Sequence, residues 1–515
     1  MKIYHGNILT CNEYDEVFSY LVEDQGKIVY VGNECPSCFK GEVIELNEKT
    51  LCPSFADTHM HFASYATFHA GLNVMDAKSN TEIISMMKEF VKTCKDPMII
   101  GFGASPYSVE EKCLVTRKQL DEVCSDKPIF MIKYDGHTCV INTCLLNKLK
   151  NKIKDLRGYH EESGEMNQDA FFEVSNYVTN SISIPKLVLN MQKAVDDLAK
   201  VGIGMVHSVS GVGFSFDLDV DLENWFSKGL NNGFQLRVYM QTMNVKKALR
   251  RKFKRIGGCF ECALDGCFGS VDAAMNKPYE NTNDTGILYY TDEQVIDFCK
   301  KANRKGLQIE LHAIGDKAFD QAVKAISLAL EDTPRNDHRH TIIHACLPTK
   351  DSIKLCQIYN IQLAIQSAFI NWPQEPDSFL ESILGERNEQ LNPFQTYMSK
   401  NILLSAGSDA PCTEPNPIEW IYKACNHSNK KEALTIKQAL KMCTYNGYKT
   451  GFDEKDRGSL EVGKIADMVL LSQNPYETNI KDLNKIKVEQ LYLNGKEYTS
   501  CIQNPFIQIL KGMNS

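Results

Sequence analysis

At 515 residues, the chain is long enough for about two to four domains, or for one large barrel with an appended domain. Its content of 43% hydrophobic and 24% charged residues is ordinary for a soluble globular protein. The formal net charge of −8 argues against nucleic acid or an anionic membrane as the principal partner.

The sequence also argues against a membrane-embedded or secreted protein. No run approaches the roughly 18 apolar residues that a membrane span requires. The N-terminal residues lack the apolar core of a secretion signal. The 19 cysteines are scattered, and several, such as Cys144, Cys262 and Cys346, lie inside apolar segments. We therefore expect reduced, buried thiols in a cytoplasmic protein.

Short β patterns separated by turns occupy both ends of the chain. Neither end shows a helical period of apolar residues. Because the termini of a domain often lie close together, the two ends can pair into one unit. We predict one composite β-sandwich domain built from residues 1–50 and 455–515.

Strand-like and helix-like segments alternate between residues 51 and 454, which is the pattern of a parallel α/β fold. Capping boxes that begin at Thr291 and Thr435 mark two helix starts. The strand-like segments are 97–102, 129–133, 204–207, 235–240, 307–312, 341–344, 361–365 and 402–406. This alternation predicts a closed (β/α)8 TIM barrel over residues 51–454, with an insertion at about 65–185.

The first candidate site is the pair His59 and His61, which closes the apolar, strand-like run 51–56. Residues two apart on a strand point to the same side, so both imidazoles would face one point. Two converging imidazoles form half of a site for a first-row metal ion. The alternative is a pair of solvated or hydrogen-bonded histidines.

Three further candidates stand at the ends of later strand-like segments. His312 and His344 each close an apolar segment, and Asp409 follows a segment that ends in small residues. In a (β/α)8 barrel the chemistry lies at the carboxyl ends of the strands, so these side chains would converge with the first pair. Asp409 could alternatively cap the N-terminus of a helix.

These motifs resemble the amidohydrolase superfamily, in the branch that includes N-substituted formamide deformylases. The resembling stretches are 53–61, 135–138, 264–270, 312–318, 343–345, 407–411 and 458–467. The resemblance implies a divalent metal ion, with zinc as the first candidate. It implies that this ion is bound by four histidines and lies beside one aspartate, namely His59, His61, His312, His344 and Asp409.

The chemistry of such a site follows from the expected ligands. A divalent cation lowers the pKa of bound water to about 7 and so supplies hydroxide at neutral pH. Asp409 would accept the proton of the water and pass it to the leaving nitrogen. The resemblance also places Asp135-Gly136-His137 near the site, so His137 is a candidate substrate-binding residue; the alternative is a histidine of a turn.

One position departs from the pattern of the superfamily. Two-metal members carry a lysine or a glutamate that bridges the ions from the fourth strand. Glu261 stands where this branch has that lysine, and Glu173 and Lys133 are weaker candidates for the bridge. We therefore expect one tightly held ion, with a second ion as the alternative.

The expected function is that of a metal-dependent amidohydrolase, which hydrolyses a carbon–nitrogen bond other than a peptide bond in a small amide-type molecule. One alternative is a deaminase of an aminated heterocycle, because the same metal hydroxide can attack an amidine-type carbon. A second alternative is a non-catalytic binding protein on the same barrel, although five retained ligand-type residues argue against it. A homo-oligomer stays open, since the sequence carries no signal for an interface.

Overall fold

The computed structural model describes residues 1–211 and 214–515. Within these residues the strands are β1 (Lys2–Leu9), β2 (Val17–Asp24), β3 (Lys27–Gly32), β4 (Glu42–Pro53), β5 (Phe55–Met60), β6 (Leu72–Asn73), β7 (Ile99–Ala104), β8 (Ile129–Lys133), β9 (Thr138–Ile141), β10 (Glu165–Asn167), β11 (Ile203–Ser210), β12 (Gln235–Met240), β13 (Arg255–Ala263), β14 (Gln308–Ala313), β15 (Thr341–His344), β16 (Gln362–Ile365), β17 (Leu404–Ala406), β18 (Met468–Leu471), β19 (Val488–Leu493) and β20 (Lys496–Glu497).

The helices of the same residues are α1 (Phe62–Phe68), α2 (Asn80–Thr93), α3 (Arg117–Val123), α4 (Thr143–Ile153), α5 (Gln168–Asn180), α6 (Ile184–Lys200), α7 (Leu218–Gly229), α8 (Val245–Arg250), α9 (Asp292–Arg304), α10 (Asp316–Asp332), α11 (Lys350–Tyr359), α12 (Asp377–Leu384), α13 (Phe394–Ser399), α14 (Pro417–Cys425), α15 (Ile436–Cys443), α16 (Tyr445–Thr450) and α17 (Pro505–Met513). Both predicted capping boxes are present, at Thr291 before α9 and at Thr435 before α15. In the part of the chain that the structure describes, no helix has the length and apolar character needed to cross a membrane.

Strands from both ends of the chain form one seven-stranded sheet, in the order β20-β19-β18-β4-β1-β2-β3. The long strand β4 joins the two ends, because it runs parallel to β1 and antiparallel to β18. Tyr4, Leu21, Met468 and Tyr492 pack together in the core of this sheet. The prediction that both chain ends build one β unit is confirmed.

The barrel is an eight-stranded parallel sheet in the order β5-β11-β12-β13-β14-β15-β16-β17. Every residue of β11 and β14 is buried, as expected for parallel strands that are covered on both faces. The first and last strands meet where the Thr58 hydroxyl donates to the Ala406 carbonyl at 2.9 Å. The predicted (β/α)8 architecture is therefore confirmed.

A third sheet separates the first two strands of the barrel. After α1 the chain forms β6 to β10, in the sheet order β10-β9-β8-β7-β6, before α6 leads into β11. The segments 97–102 and 129–133, which the sequence predicts as strands, lie in this sheet rather than in the barrel. Phe130, Leu145 and Val174 pack in its own hydrophobic cluster. The sheet therefore has a core of its own beside that of the barrel.

The fourth barrel strand is distorted by a bulge. Gly258 of β13 pairs with Leu311 of β14, but the next pair is Ala263 with His312, so residues 259–262 are extra on β13. Gly257 and Gly258 enter the bulge with φ of +110° and +130°, a backbone conformation that only glycine adopts without strain. The bulge turns the side chain of residue 259 toward the interior of the barrel mouth.

We predict that Gly257→Ala destabilises the protein strongly. A Cβ at this position would lie 1.8 Å from the carbonyl oxygen of Glu310, and the φ of +110° would be strained as well. The expected loss in the free energy of unfolding is on the order of 3 kcal/mol, measured by denaturant titration. Gly306→Ala is the control, because Gly306 has a φ of +73° but no atom within 4 Å of a built Cβ. Equal losses in the two variants would contradict the steric argument.

Candidate metal centre

The structure brings the five candidate ligands together at the mouth of the barrel. Asp409 Oδ1 lies 3.1 Å from His59 Nε2 and 3.3 Å from His61 Nε2. The ring centroid of His344 lies 5.5 Å from that of His59 and 4.6 Å from that of His312. All five side chains are buried, with at most 8% of any residue exposed. Their role as metal ligands remains a prediction that this convergence supports.

Asp57 fixes the two strand ends that carry His59 and Asp409. Its carboxylate accepts hydrogen bonds from the backbone N–H groups of His59 (3.2 Å) and Ser408 (3.0 Å), and from the Ser408 hydroxyl (2.6 Å). Burial raises the pKa of Asp57 to about 7, although these hydrogen bonds act to lower it. Asp57 therefore ties the first barrel strand to the turn that follows the last one.

Gln366 orients His344, and Asp265 lies beside His312. Gln366 Oε1 lies 2.6 Å from His344 Nδ1, and the Gln366 amide N–H donates to a backbone carbonyl. Because the amide oxygen only accepts, Nδ1 carries the proton and Nε2 keeps its lone pair. Asp265 Oδ1 lies 3.4 Å from His312 Nδ1, and the same carboxylate accepts from the backbone N–H of Gly315 at 2.8 Å. The loop after β14 is thereby held against the site.

The backbone is strained where two of these side chains are presented. His344 has a φ of +69° and Asp409 a φ of +57°, in the left-handed region that non-glycine residues rarely adopt. Such conformations cost about 1–3 kcal/mol each and concentrate at functional sites. No helix begins directly after Asp409, and its carboxylate faces the imidazoles instead of capping a helix.

The protonation states suit metal binding. Burial lowers the pKa of His59 and lowers that of His344 well below its ordinary value, so both rings are neutral at pH 7. For Asp409, burial alone would raise the pKa, but hydrogen bonds to His59 and His61 hold it well below its usual range. His59 and His344 therefore present neutral imidazoles and Asp409 presents an ionised carboxylate, which are the forms that bind a divalent cation.

A sixth side chain, Cys259, joins the cluster and was not among the predicted ligands. Its Sγ lies 3.4 Å from His59 Nε2, and the residue is 5% exposed. Burial raises the pKa of the Cys259 thiol well above its ordinary value. A sequence motif could have identified Cys259 as a candidate ligand, because Cys259 and Cys262 form a Cys-x-x-Cys pair, a spacing common at metal sites.

The three candidate bridging residues lie outside the described metal groups. Glu261 is an exposed residue and its carboxylate accepts a hydrogen bond from Thr242 at 3.3 Å. Lys133 Nζ is paired with Asp135 at 2.6 Å, and Glu173 lies on α5, in the segment between β10 and α6. Among the described residues, none of these three belongs to a group that could hold a metal ion.

The residues present fit a divalent cation. Three overlapping groups have their ligand atoms within 4.8 Å of one another; in the described chain they are His59 with His61 and Cys259, Cys259 with His312 and His344, and His59 with His344 and Asp409. Imidazole nitrogen, carboxylate oxygen and sulfur are the ligands that zinc prefers. So many buried lone pairs at short range repel one another unless a cation lies between them.

A cavity of about 1160 Å³ opens onto the cluster. His61, His312 and Asp409 line it on the barrel side, and His137 lines it on the side of the inserted sheet. The His137 ring lies 5.8 Å from that of Phe260. The structure thus places the predicted substrate-binding residue on the cavity wall; its role remains a prediction.

Aromatic side chains form a further wall of the cavity. Phe369 and Trp372 stack with ring centroids 5.0 Å apart, and Tyr134 meets the Trp372 ring edge-on at 5.0 Å. The Tyr134 hydroxyl donates to Glu375 Oε1 at 3.1 Å, and burial raises the pKa of Glu375 to about 7. The cavity therefore combines an apolar face with a small polar region away from the histidines.

A buried carboxyl group contacts the start of α1, the helix that follows the first barrel strand. Glu223 on α7 accepts a hydrogen bond from the backbone N–H of Ala63 at 3.1 Å, two residues after His61. Burial raises the pKa of Glu223 to about 8, although hydrogen bonds with Ser210 and Ser208 act to lower it. At neutral pH the folded protein therefore keeps this group protonated.

We predict that Glu223→Gln becomes relatively more stable as the pH rises. Between the unfolded pKa of 4.5 and the folded pKa of about 8, the native state holds a proton that the unfolded state has released, so the wild type loses stability over this window. The glutamine of the variant does not ionise, so the variant does not lose stability in this way. Its free energy of unfolding relative to the wild type should rise by on the order of 3 kcal/mol from pH 5 to pH 8. A difference that does not change with pH would contradict the assignment; Glu386→Gln, at an exposed position, is the control.

Comparison with known proteins agrees with the site. The sequence profile of the amidohydrolase family matches residues 42–498. The putative amidohydrolase YtcJ of Bacillus subtilis is 23% identical over 88% of this chain and 90% of its own length. The N-substituted formamide deformylase of Arthrobacter pascens is 21% identical over 96% of this chain and 97% of its own. An uncharacterized metal-dependent hydrolase of Pyrococcus furiosus, with 22% identity over 92% of this chain and 100% of its own, has the same fold at a TM-score of 0.74. The chain therefore belongs to the amidohydrolase family and is a hydrolase that acts on carbon–nitrogen bonds.

Proposed function

We propose that this protein hydrolyses a carbon–nitrogen bond, other than a peptide bond, in a small amide-type molecule. The observation that carries the proposal is the convergence of four imidazoles and the Asp409 carboxylate in one cluster at the carboxyl ends of the barrel strands, where His61, His312, His344 and Asp409 border a cavity. Formamides, other simple amides and cyclic amides are the candidate substrates. The 21% identity to a formamide deformylase over nearly the whole of both chains supports the same class.

The residues of the metal centre have distinct roles in the proposed reaction. The four histidines and Asp409 would hold a divalent cation, with zinc as the first candidate; such an ion would lower the pKa of bound water to about 7 and would polarise the scissile carbonyl. Asp409 Oδ1 accepts a proton from the attacking water and delivers it to the leaving nitrogen. The carbon–nitrogen bond breaks, and the products are an acid and an amine. Gln366 and Asp57 keep His344 and Asp409 in place.

The cavity sets the size and polarity of the substrate. Its volume of about 1160 Å³ suits a small molecule. The stacked rings of Phe369 and Trp372 offer an apolar face to a substituent on the amide. His137 also lines the cavity and offers a ring nitrogen that can hydrogen-bond a polar group of the substrate. A formamide or amide with an apolar N-substituent is the favoured substrate.

A substrate panel tests this proposal. Metal-depleted protein and protein reloaded with zinc, cobalt or manganese are incubated with N-substituted formamides, simple amides, cyclic amides and aminated heterocycles. Mass spectrometry then detects the acid and the amine, and a coupled assay detects ammonia. Metal-dependent release of acid and amine supports the proposal. Ammonia from a heterocycle would replace it with deamination, and the absence of turnover by fully loaded protein would contradict it.

A further inference from the structure

Cys259 occupies a central position within the candidate metal centre. Of the three described groups that could hold a cation, one joins its sulfur to His59 and His61, and another joins it to His312 and His344. In both groups the ligand atoms lie within 4.8 Å of one another. The sulfur therefore lies between the pair of histidines on the first strand and the pair on the fifth and sixth strands.

The fold holds this thiol in place. The backbone N–H of Cys259 donates to Gln241 Oε1 at 3.0 Å, on the neighbouring strand end. A Cβ added at Gly258 would lie 2.7 Å from Val209 Cγ1 and 2.9 Å from Gln241 Cγ, so the bulge packs tightly against its neighbours. The backbone that carries the thiol is therefore fixed beside the cluster.

The charges in the cluster call for a second anion. The cluster holds a single carboxylate, Asp409, which compensates only part of the charge that two divalent cations would carry. The side chains that could have bridged two ions are unsuited, since Glu261 faces Thr242 and Lys133 is paired with Asp135. A thiolate carries several lone pairs and binds zinc at about 2.3 Å. Two-metal hydrolytic sites hold their ions about 3.5–4 Å apart, a span that one sulfur can bridge.

We propose that Cys259 Sγ is a metal ligand shared by two cation positions, the first completed by His59 and His61 and the second by His312 and His344. The inference rests on the proposed metal-dependent function and replaces the expectation of a single ion. When the sulfur–metal bonds form, the thiol proton leaves to solvent and lone pairs of the sulfur make both bonds. Nothing is oxidised or reduced.

Cobalt substitution tests the inference without reference to turnover. Metal-depleted wild-type protein and the variants Cys259→Ser, Cys259→Asp and Cys262→Ser are loaded with Co²⁺. The metal content per chain is measured, together with the near-ultraviolet thiolate-to-cobalt charge-transfer band. Cys262→Ser is the matched control, because this thiol lies on the same strand, is equally buried and belongs to none of the described metal groups.

We expect two equivalents of cobalt and a charge-transfer band in the wild type and in Cys262→Ser. Cys259→Ser should lose the band and hold one equivalent or less. Cys259→Asp restores an anionic bridge, so this variant should hold two equivalents of cobalt without the charge-transfer band. Two equivalents in Cys259→Asp would also show that a substitution at this position does not prevent folding. An unchanged band in Cys259→Ser, or a single equivalent in the wild type, overturns the inference alone. A wild type that binds no cobalt overturns the proposed function as well.

Discussion

Changing Asp409 to asparagine lowers kcat/KM by a factor on the order of 10²–10⁴, with most of the loss in kcat. The amide keeps the size of the side chain but cannot take up a proton. In the wild type, hydrogen bonds to His59 and His61 hold the pKa of this carboxyl group far below neutrality, so it is ready to accept one. Steady-state kinetics and metal analysis of the same preparation measure the effect. The four histidines should retain most of the metal.

The control for this variant is Asp316→Asn. Asp316 also follows a barrel strand at the same end, but its carboxylate accepts a hydrogen bond from the backbone N–H of Asn276 at 2.7 Å and lies outside the described metal groups. We expect its kcat/KM to change by less than a factor of about three, as for a substitution outside the catalytic machinery. Equal activity of Asp409→Asn and the wild type would remove Asp409 from the proton transfer.

Changing His59 to alanine abolishes detectable turnover and lowers the metal affinity by more than about tenfold, since even residues that only orient the ligands cost 10–100-fold. His59 is fully buried, and its Nε2 lies 3.1 Å from Asp409 Oδ1 and 3.4 Å from Cys259 Sγ. Removing the ring therefore takes away one predicted ligand and leaves Asp409 with fewer partners. Titration with a metal indicator measures the affinity, and zinc-dependent activity measures the turnover.

A second His-x-His pair in the chain provides the matched control for this experiment. His338 and His340 are also buried, but they lie just before β15, where His338 Nε2 contacts the Tyr359 carbonyl at 2.8 Å. His338→Asn should leave the metal affinity unchanged, although it loses this contact. If both variants lost metal to the same degree, a general loss of fold would explain the result better than ligand removal.

The sequence was sufficient to predict those parts of the protein in which local pattern and tertiary structure agree. Apolar segments that end in His312 or His344 become buried parallel strands, and the barrel geometry then makes their ends converge. The capping boxes at Thr291 and Thr435 begin helices as expected, because their hydrogen bonds are local. Asp409 needed more, since its position depends on a strained turn held by Asp57 from a distant part of the chain.

The fourth barrel strand, β13, and its bulge could not be predicted from the local sequence pattern. The sequence pattern alone does not identify β13, because two glycines and a bulge interrupt its β-forming residues; only the resemblance places Glu261 on a fourth strand. Glu261 stands four residues before Asp265, the position of the bridging residue in the family, but the bulge presents Cys259 to the cluster instead. The number of bulged residues follows only from the pairing of β13 with β14. Because that pairing joins segments far apart in the chain, the local sequence does not determine it.

The inserted segment between α1 and α6 has a consequence for the evolution of selectivity. It supplies Tyr134, His137 and Phe171 to the cavity, whereas the candidate ligands come from the barrel and from the turns after its strands. Mutations in the insert can therefore remodel what enters the pocket while the hydrolytic machinery stays intact. Replacing the inserted segment with that of a relative that acts on another substrate would be a direct way to change substrate preference.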